Sequence, residues 1–226
     1  MDEAEIVLRA LRMVWRDWSR ARRTFRNEPE MQCEMRQALL RRLQRSGSTL
    51  DVALEYRVPG IPKGRNTMAW AWYDVAVVAG KGQHERPVAL IELSYGDTNV
   101  AHALHNGELK LLGYCNGRHK RTGGSYAEMT GLGPQTLDQV RHELSAIPIR
   151  GLFFVVDPKQ TQDMLELRQP PVWNVGNDYF VSALWPAERA DQGITLKDAF
   201  ERLCNAGLWC WYYATTGSKA RLEIAP

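Results

Sequence analysis

Tyr73-Asp-Val-Ala-Val-Val-Ala79 and Pro87-Val-Ala-Leu-Ile-Glu-Leu-Ser-Tyr95 are two apolar runs of strand length, joined by the polar loop Gly80–Arg86. Each run carries one carboxylate, Asp74 in the first and Glu92 in the second. Taking an ionised carboxylate out of water is costly unless a partner offsets the loss. Two on neighbouring strands point to something between them that favours negative charge, and a divalent metal is the ordinary candidate.

Upstream of these strands, Val7, Leu11, Val14, Trp15 and Trp18 recur at three- and four-residue steps, which predicts a helix with one apolar stripe. Helical spacing runs from about Ala4 to Arg45 and breaks near Asn27-Glu28-Pro29, giving two helices. Arg9, Arg12, Arg16, Arg20 and Arg23 follow the same period on the opposite face. Residues 1–45 hold eleven arginines and seven acids, while the whole chain has a net charge of +3, so the basic character belongs to this segment. The arginine edge has two readings. It is a solvated face, as charge runs commonly are, or a face that contacts phosphate, whose geometry arginine matches while staying charged.

Downstream, Leu50–Val58 alternates like a strand and ends in the Pro/Gly-rich loop Pro59–Gly64, before Met68–Ala79 and Pro87–Tyr95 continue a meander. Ala101–Tyr114 and Leu137–Ala146 have helical spacing, and Ile149–Asp157 reads as a buried strand. A short helix at Gln162–Leu167, a strand at Tyr179–Leu184, a helix at Leu196–Asn205 and a strand at Leu208–Ala214 complete the expectation. Strands that first meander and then alternate with helices predict an α/β fold with a mixed central sheet flanked by helices. With 226 residues, 44% of them hydrophobic, one domain is the economical reading. Residues 1–45 form a helical extension packed on a core at 46–226.

The order of helix, three meandering strands, helix and strand resembles the PD-(D/E)XK nuclease superfamily, over residues of about 35–156. Asp74 and the Ile91-Glu92-Leu93-Ser94 segment carry the resemblance, and Glu55 looks like the additional acid many members supply. The resemblance implies a restriction-endonuclease-like core in which Asp74 and Glu92 bind Mg²⁺ or Mn²⁺ and the metal activates water for phosphodiester hydrolysis. Hard divalent ions do prefer carboxylate oxygen, and such hydrolysis needs a metal-bound nucleophile. One departure matters: the lysine expected two residues after the glutamate is Ser94 here, which donates a hydrogen bond but supplies no charge.

Lys110 does not replace that lysine. On a helical wheel Ala101, Leu104, Leu111, Leu112 and Cys115 form the apolar face, Glu108 falls in its middle and Lys110 points away. Glu108 is therefore either a further carboxylate turned toward the site or an acid satisfied locally near the helix start. Lys63 and Arg65, before the Asp74 strand, are other sources of positive charge. Arg118, Lys120 and Arg121 lie in a basic loop after the helix, either solvated or free to meet a backbone phosphate.

Other patterns carry less. His102 and His105 share a helix face without an obvious third ligand and read as surface residues. Gly123-Gly124-Ser125 and Gly131-Leu132-Gly133-Pro134 read as turns. Trp209, Trp211, Tyr212 and Tyr213 read as core. Cys33, Cys115, Cys204 and Cys210 are widely spaced, with no Cys-x-x-Cys pair, and read as reduced core residues of a cytoplasmic protein. No apolar run has the length to span a bilayer, and the acidic, then amphipathic N-terminus is unlike a signal peptide.

Three functions follow. The first is a Mg²⁺- or Mn²⁺-dependent nuclease using Asp74 and Glu92 as ligands, Glu55 or Glu108 as supporting acid, and Arg118, Lys120, Arg121, Lys63 and Arg65 on nucleic acid, DNA foremost. The second is a degenerate member of the same fold that binds nucleic acid or a protein partner without cutting. The third is an unrelated α/β protein whose acids are structural, paired with Arg57, Arg65 or Arg150. Homo-oligomerisation stays open.

Overall fold

The computed structural model describes residues 2–57, 72–95, 142, 144–156, 166–167, 172–175, 178–181, 194–195, 201, 203–205, 207–215 and 221–225. Two helices lead, α1 (Glu3–Ala21) and α2 (Glu28–Arg45). They are followed by β1 (Asp51–Arg57), β2 (Trp72–Ala79), β3 (Arg86–Tyr95) and β4 (Ile149–Val156). Short strands β5 (Glu166–Leu167), β6 (Val172–Val175), β7 (Asp178–Val181) and β8 (Ile194–Thr195) precede β9 (Trp209–Ala214) and β10 (Arg221–Ile224). The fold is mixed α/β, with a six-stranded sheet in the order β1-β2-β3-β4-β9-β10.

The meander expected from the sequence is present: β1 pairs antiparallel with β2, and β2 with β3. From β3 the sheet turns parallel through β4 to β9, and β10 closes it antiparallel. Three expectations change. Glu166 and Leu167, read from sequence as the end of a helix, form a strand against Ile194 and Thr195, a pairing to which two residues lend no detectable period. β6 and β10 were not expected from the sequence, whereas β7 overlaps the strand expected at Tyr179–Leu184. Cys33 is exposed rather than core, whereas Cys204 and Cys210 are buried free thiols. Helices expected at 101–114 and 137–146 lie wholly or largely outside the described residues.

The helix pair sits where its stripes dictate. Val7, Leu11, Val14 and Trp18 of α1 and Met31, Met35, Leu39 and Leu43 of α2 are buried against Val75, Val77, Ile91, Phe153, Val155, Trp211 and Tyr213. The alternate strand residues Ala76, Leu90, Leu152, Phe154, Cys210 and Tyr212 are buried too, so the central strands are covered on both sides and read as continuous apolar runs. α1 ends where Arg22 takes a left-handed conformation (φ 49°) and its N–H reaches the Trp18 carbonyl. α2 starts on Asn27, whose side chain accepts from the Glu30 N–H at 2.9 Å, with Pro29 in the first turn where a missing N–H costs nothing.

Side-chain ties fix α1 to the far end of the sheet. Trp15 Nε1 donates to the Tyr212 carbonyl at 3.1 Å, and Arg12 both pairs with Glu223 at 2.5 Å and lies 5.1 Å from the Trp209 ring centre. Tyr213 Oη donates to the Arg23 carbonyl at 2.8 Å.

Buried phenols give the fold an alkaline limit. Burial, with Glu85 adding to it, pushes Tyr56 up from 10.0 to about 12, and burial raises Tyr212 and Tyr213 as well. The unfolded chain releases these protons near pH 10.0 while the folded chain keeps them. The contribution of Tyr56 is thus complete below that pH and is lost as pH climbs through about 12. Denaturant unfolding followed across this window should show stability falling as pH rises, with a shallower fall in Tyr56→Phe. An unchanged slope in that variant would refute the role of Tyr56.

Candidate functional site

Three of the acids singled out in the sequence, Asp74, Glu92 and Glu55, lie toward one end of the meander. Asp74 lies on β2, one residue beyond the Val75–Ile91 pair that ends the backbone ladder with β3. There its own carboxylate takes over: Oδ2 accepts from the Leu93 N–H at 2.6 Å. That N–H belongs to the peptide joining Glu92 to Leu93, so Asp74 touches the backbone that carries Glu92. Both acids are buried, with Asp74 7% and Glu92 6% exposed.

Glu55 approaches from the other side. The β1–β2 register runs through Leu54–Val75 and Tyr56–Tyr73, which places Glu55 opposite Asp74. Gln32 of α2 links the two, because its Nε2 donates at 3.0 Å to Asp74 Oδ1 and at 3.0 Å to Glu55 Oε1. The amide is itself buried. Sequence reasoning missed Gln32, although a signal was present: it shares helical spacing with Leu39 and Leu43, a polar residue on an apolar stripe.

Glu55 reaches this position through an unusual backbone, with φ 49° inside a strand. Such a conformation costs a non-glycine residue about 1–3 kcal/mol, and such residues cluster where surroundings over-determine them. Glycine would remove that cost at roughly 0.5–1 kcal/mol of chain entropy. Glu55→Gly should therefore leave stability within about 1 kcal/mol. Glu55→Val should destabilise clearly, although valine ordinarily favours strands. Thermal unfolding of the two variants checks this, and a valine variant as stable as the glycine variant would remove the strain argument.

Ser94 is buried and, two residues after Glu92, lies on the same side of β3. Arg150 on β4 pairs in register with Leu90, and burial lowers its pKa against an opposing contribution from Tyr73. Among the described residues, no group of three or more His, Cys, Asp or Glu side chains converges as a ready-made metal site. Two buried carboxylates and a third bridged through an amide do, however, supply the hard oxygen donors that Mg²⁺ and Mn²⁺ prefer.

Glu108, Arg118, Lys120, Arg121, Lys63 and Arg65 lie outside the described residues, as do Lys110, His102, His105 and the side chain of Arg57. Trp211, Tyr212 and Tyr213 are core, as expected of that aromatic strand, with Trp209 partly buried beside them. Among the described residues no helix is long and apolar enough to cross a membrane. No protein-family model, curated protein or solved structure matches the chain.

Proposed function

We propose that the protein is a metal-dependent nuclease of the PD-(D/E)XK type, hydrolysing phosphodiester bonds of nucleic acid, DNA foremost. The observation that carries the reading is the contact of the buried Asp74 carboxylate with the Glu92–Leu93 peptide, with Glu55 joined to Asp74 through Gln32. Buried carboxylates on adjacent strands, as Asp74 and Glu92 are, disfavour full ionisation of both, and a bound cation is one resolution. The element order also supports it, with α2 followed by the β1–β3 meander and a parallel β4.

Asp74 and Glu92 would hold Mg²⁺ or Mn²⁺, with Glu55 as supporting acid and Glu108 as a further candidate. The cation supplies a lowered pKa for its bound water and charge stabilisation at the phosphoryl oxygens. Within this chain, the Leu93 N–H and the Gln32 amide orient Asp74, and the strained Glu55 backbone aims that carboxylate at the same amide. Ser94 offers a hydroxyl at the position of the absent lysine, able to donate a hydrogen bond to an anionic oxygen. Arg118, Lys120, Arg121, Lys63 and Arg65 are the proposed phosphate contacts.

A second reading, a nuclease-fold protein that binds without cutting, is favoured by one observation. The Gln32 amide donates to both carboxylates at once, which stabilises them without a cation. Incubation of plasmid, linear duplex, single-stranded DNA and RNA with Mg²⁺ or Mn²⁺ separates the two. Cleavage that disappears in Asp74→Ala and Glu92→Ala supports the nuclease, and nucleic-acid binding with no cleavage of any substrate supports the second reading.

A further inference from the structure

Four of the seven acids in the segment that concentrates the positive charge of this chain are committed to ion pairs. Glu3 pairs with Arg86, Asp17 with Arg42, Glu30 with Arg26 and Glu34 with Arg23. Arg12 is held by Glu223 of β10. What remains on the outer face of α1 is Arg9, Arg16 and Arg20, all exposed and in no ion pair among the described residues. Asp17, next to Arg16 on the helix, is engaged by Arg42, and Glu5 lies one turn before Arg9.

The three arginines lie on one line. At about 1.5 Å of rise per residue they are spaced by about 10 Å and about 6 Å along a straight helix, on the side away from Val7, Leu11, Val14 and Trp18. We infer that this face of α1 is a second phosphate-binding surface, which grips the backbone of a DNA duplex. The partner follows from the nucleic-acid reading above, and the surface is new to it.

Charge and shape select the duplex. A guanidinium stays charged at any physiological pH and matches phosphate oxygens in a fork. A membrane-surface helix needs an apolar face to insert, but the apolar stripe of α1 is consumed by the core, and Met13 is the one large hydrophobic residue exposed among those described. Binding of unpaired strands relies on exposed aromatic rings that stack bases. On α1 the aromatics are turned inward instead: Trp18 is buried, and Trp15 packs against the core with its indole bonded to Tyr212. A rigid row of charges without stacking rings fits a stiff double helix. The row also runs toward Arg23, which pairs with Glu34 of α2, two residues along the chain from Gln32.

The test uses the full chain and a fluorescent DNA duplex, in EDTA so that binding is read without cleavage, over a range of salt. Arg9→Gln/Arg16→Gln/Arg20→Gln should weaken binding by roughly tenfold or more and flatten the slope of log affinity against log salt by up to about 2.7, at about 0.9 per phosphate contact. Arg26→Gln, which removes an equally exposed but ion-paired arginine, should change the slope far less. Circular dichroism should show both variants folded, since every altered side chain is solvent-facing. Unchanged affinity and slope in the triple variant would overturn the inference while leaving the nuclease reading standing. Binding of the unaltered chain to vesicles of anionic phospholipid that the triple variant loses, with no duplex binding by the unaltered chain, would overturn it in favour of a membrane. Asp74→Asn separates the two sites: it should lose cleavage and keep the duplex affinity and salt slope.

Discussion

Asp74→Ala is expected to abolish metal-dependent cleavage, by on the order of a thousandfold or more. Several kcal/mol of transition-state stabilisation disappear with a metal ligand, and each 1.36 kcal/mol is about tenfold in rate. The same substitution should also weaken the fold. It leaves the Leu93 N–H and one Gln32 N–H in a buried setting with their acceptor removed, at a cost of about 1–3 kcal/mol for each donor. Loss of activity in that variant alone is therefore ambiguous.

Asp74→Asn resolves it. The asparagine keeps the shape and one oxygen for the Leu93 N–H, gives up the bond that Gln32 donates to the other oxygen, and removes the charge a cation needs. Thermal unfolding with and without Mn²⁺ supplies the second readout, because a ligand held only by the folded state raises its stability by about 2.7 kcal/mol at a hundred times its dissociation constant. The unaltered protein should gain melting temperature with Mn²⁺, and Asp74→Asn should gain little. Cleavage that survives in either variant would remove Asp74 from the site. An unaltered chain that Mn²⁺ does not stabilise would favour the binding-only reading.

The second large effect concerns Gly151. On β4, a Cβ at this position would stand 2.6 Å from Trp211 Cζ3 and 3.0 Å from the Trp209 carbonyl oxygen. Trp211 has no room to yield. It is fully buried, stacked on Trp209 at 5.9 Å with an interplanar angle of 10°, and tilted against Phe153 at 6.3 Å. Gly151→Ala should cost about 1–3 kcal/mol from overpacking, which lowers the melting temperature by about 2–4 °C per kcal/mol in a chain of this size.

Trp211→Phe makes the cause visible. The phenyl ring vacates the Cζ3 position, and the indole N–H it removes is buried with no hydrogen bond among the described residues. The double variant Gly151→Ala/Trp211→Phe should therefore be more stable than the sum of the two single effects predicts, by a coupling of about 0.5 kcal/mol or more. Strict additivity would show that the alanine strains the Trp209 backbone and not the indole. Trp211→Ala should be worse than either single change, at about 3–5 kcal/mol, because it opens a cavity in the shared core.

Periodic features were legible in the chain because they are local. The α1 stripe of Val7, Leu11, Val14 and Trp18 recurs within one helix, and the runs at Val75–Ala79 and Val88–Leu93 announce strands buried on both faces. The break between the helices was also legible, since Asn27 and Pro29 are residues that start helices. Glu166–Leu167 misled, because two residues show no period and their partner strand lies far along the chain.

The site divides along the same line. Sequence by itself determined that Asp74 and Glu92 stand on adjacent apolar strands and that Ser94 occupies the position after them, because strand alternation and a short connecting loop fix these from neighbours alone. It also determined the arginine row of α1, which follows from helical period. Only the tertiary structure decided that Gln32, forty-two residues before Asp74, reaches across to bond it and Glu55 together. Only the tertiary structure decided that the Glu55 backbone turns to φ 49° to meet that amide, and which arginines of α1 are neutralised. Those outcomes depend on how a helix lies across a sheet, and the packing of two faces is set by every side chain between them rather than by the spacing within either.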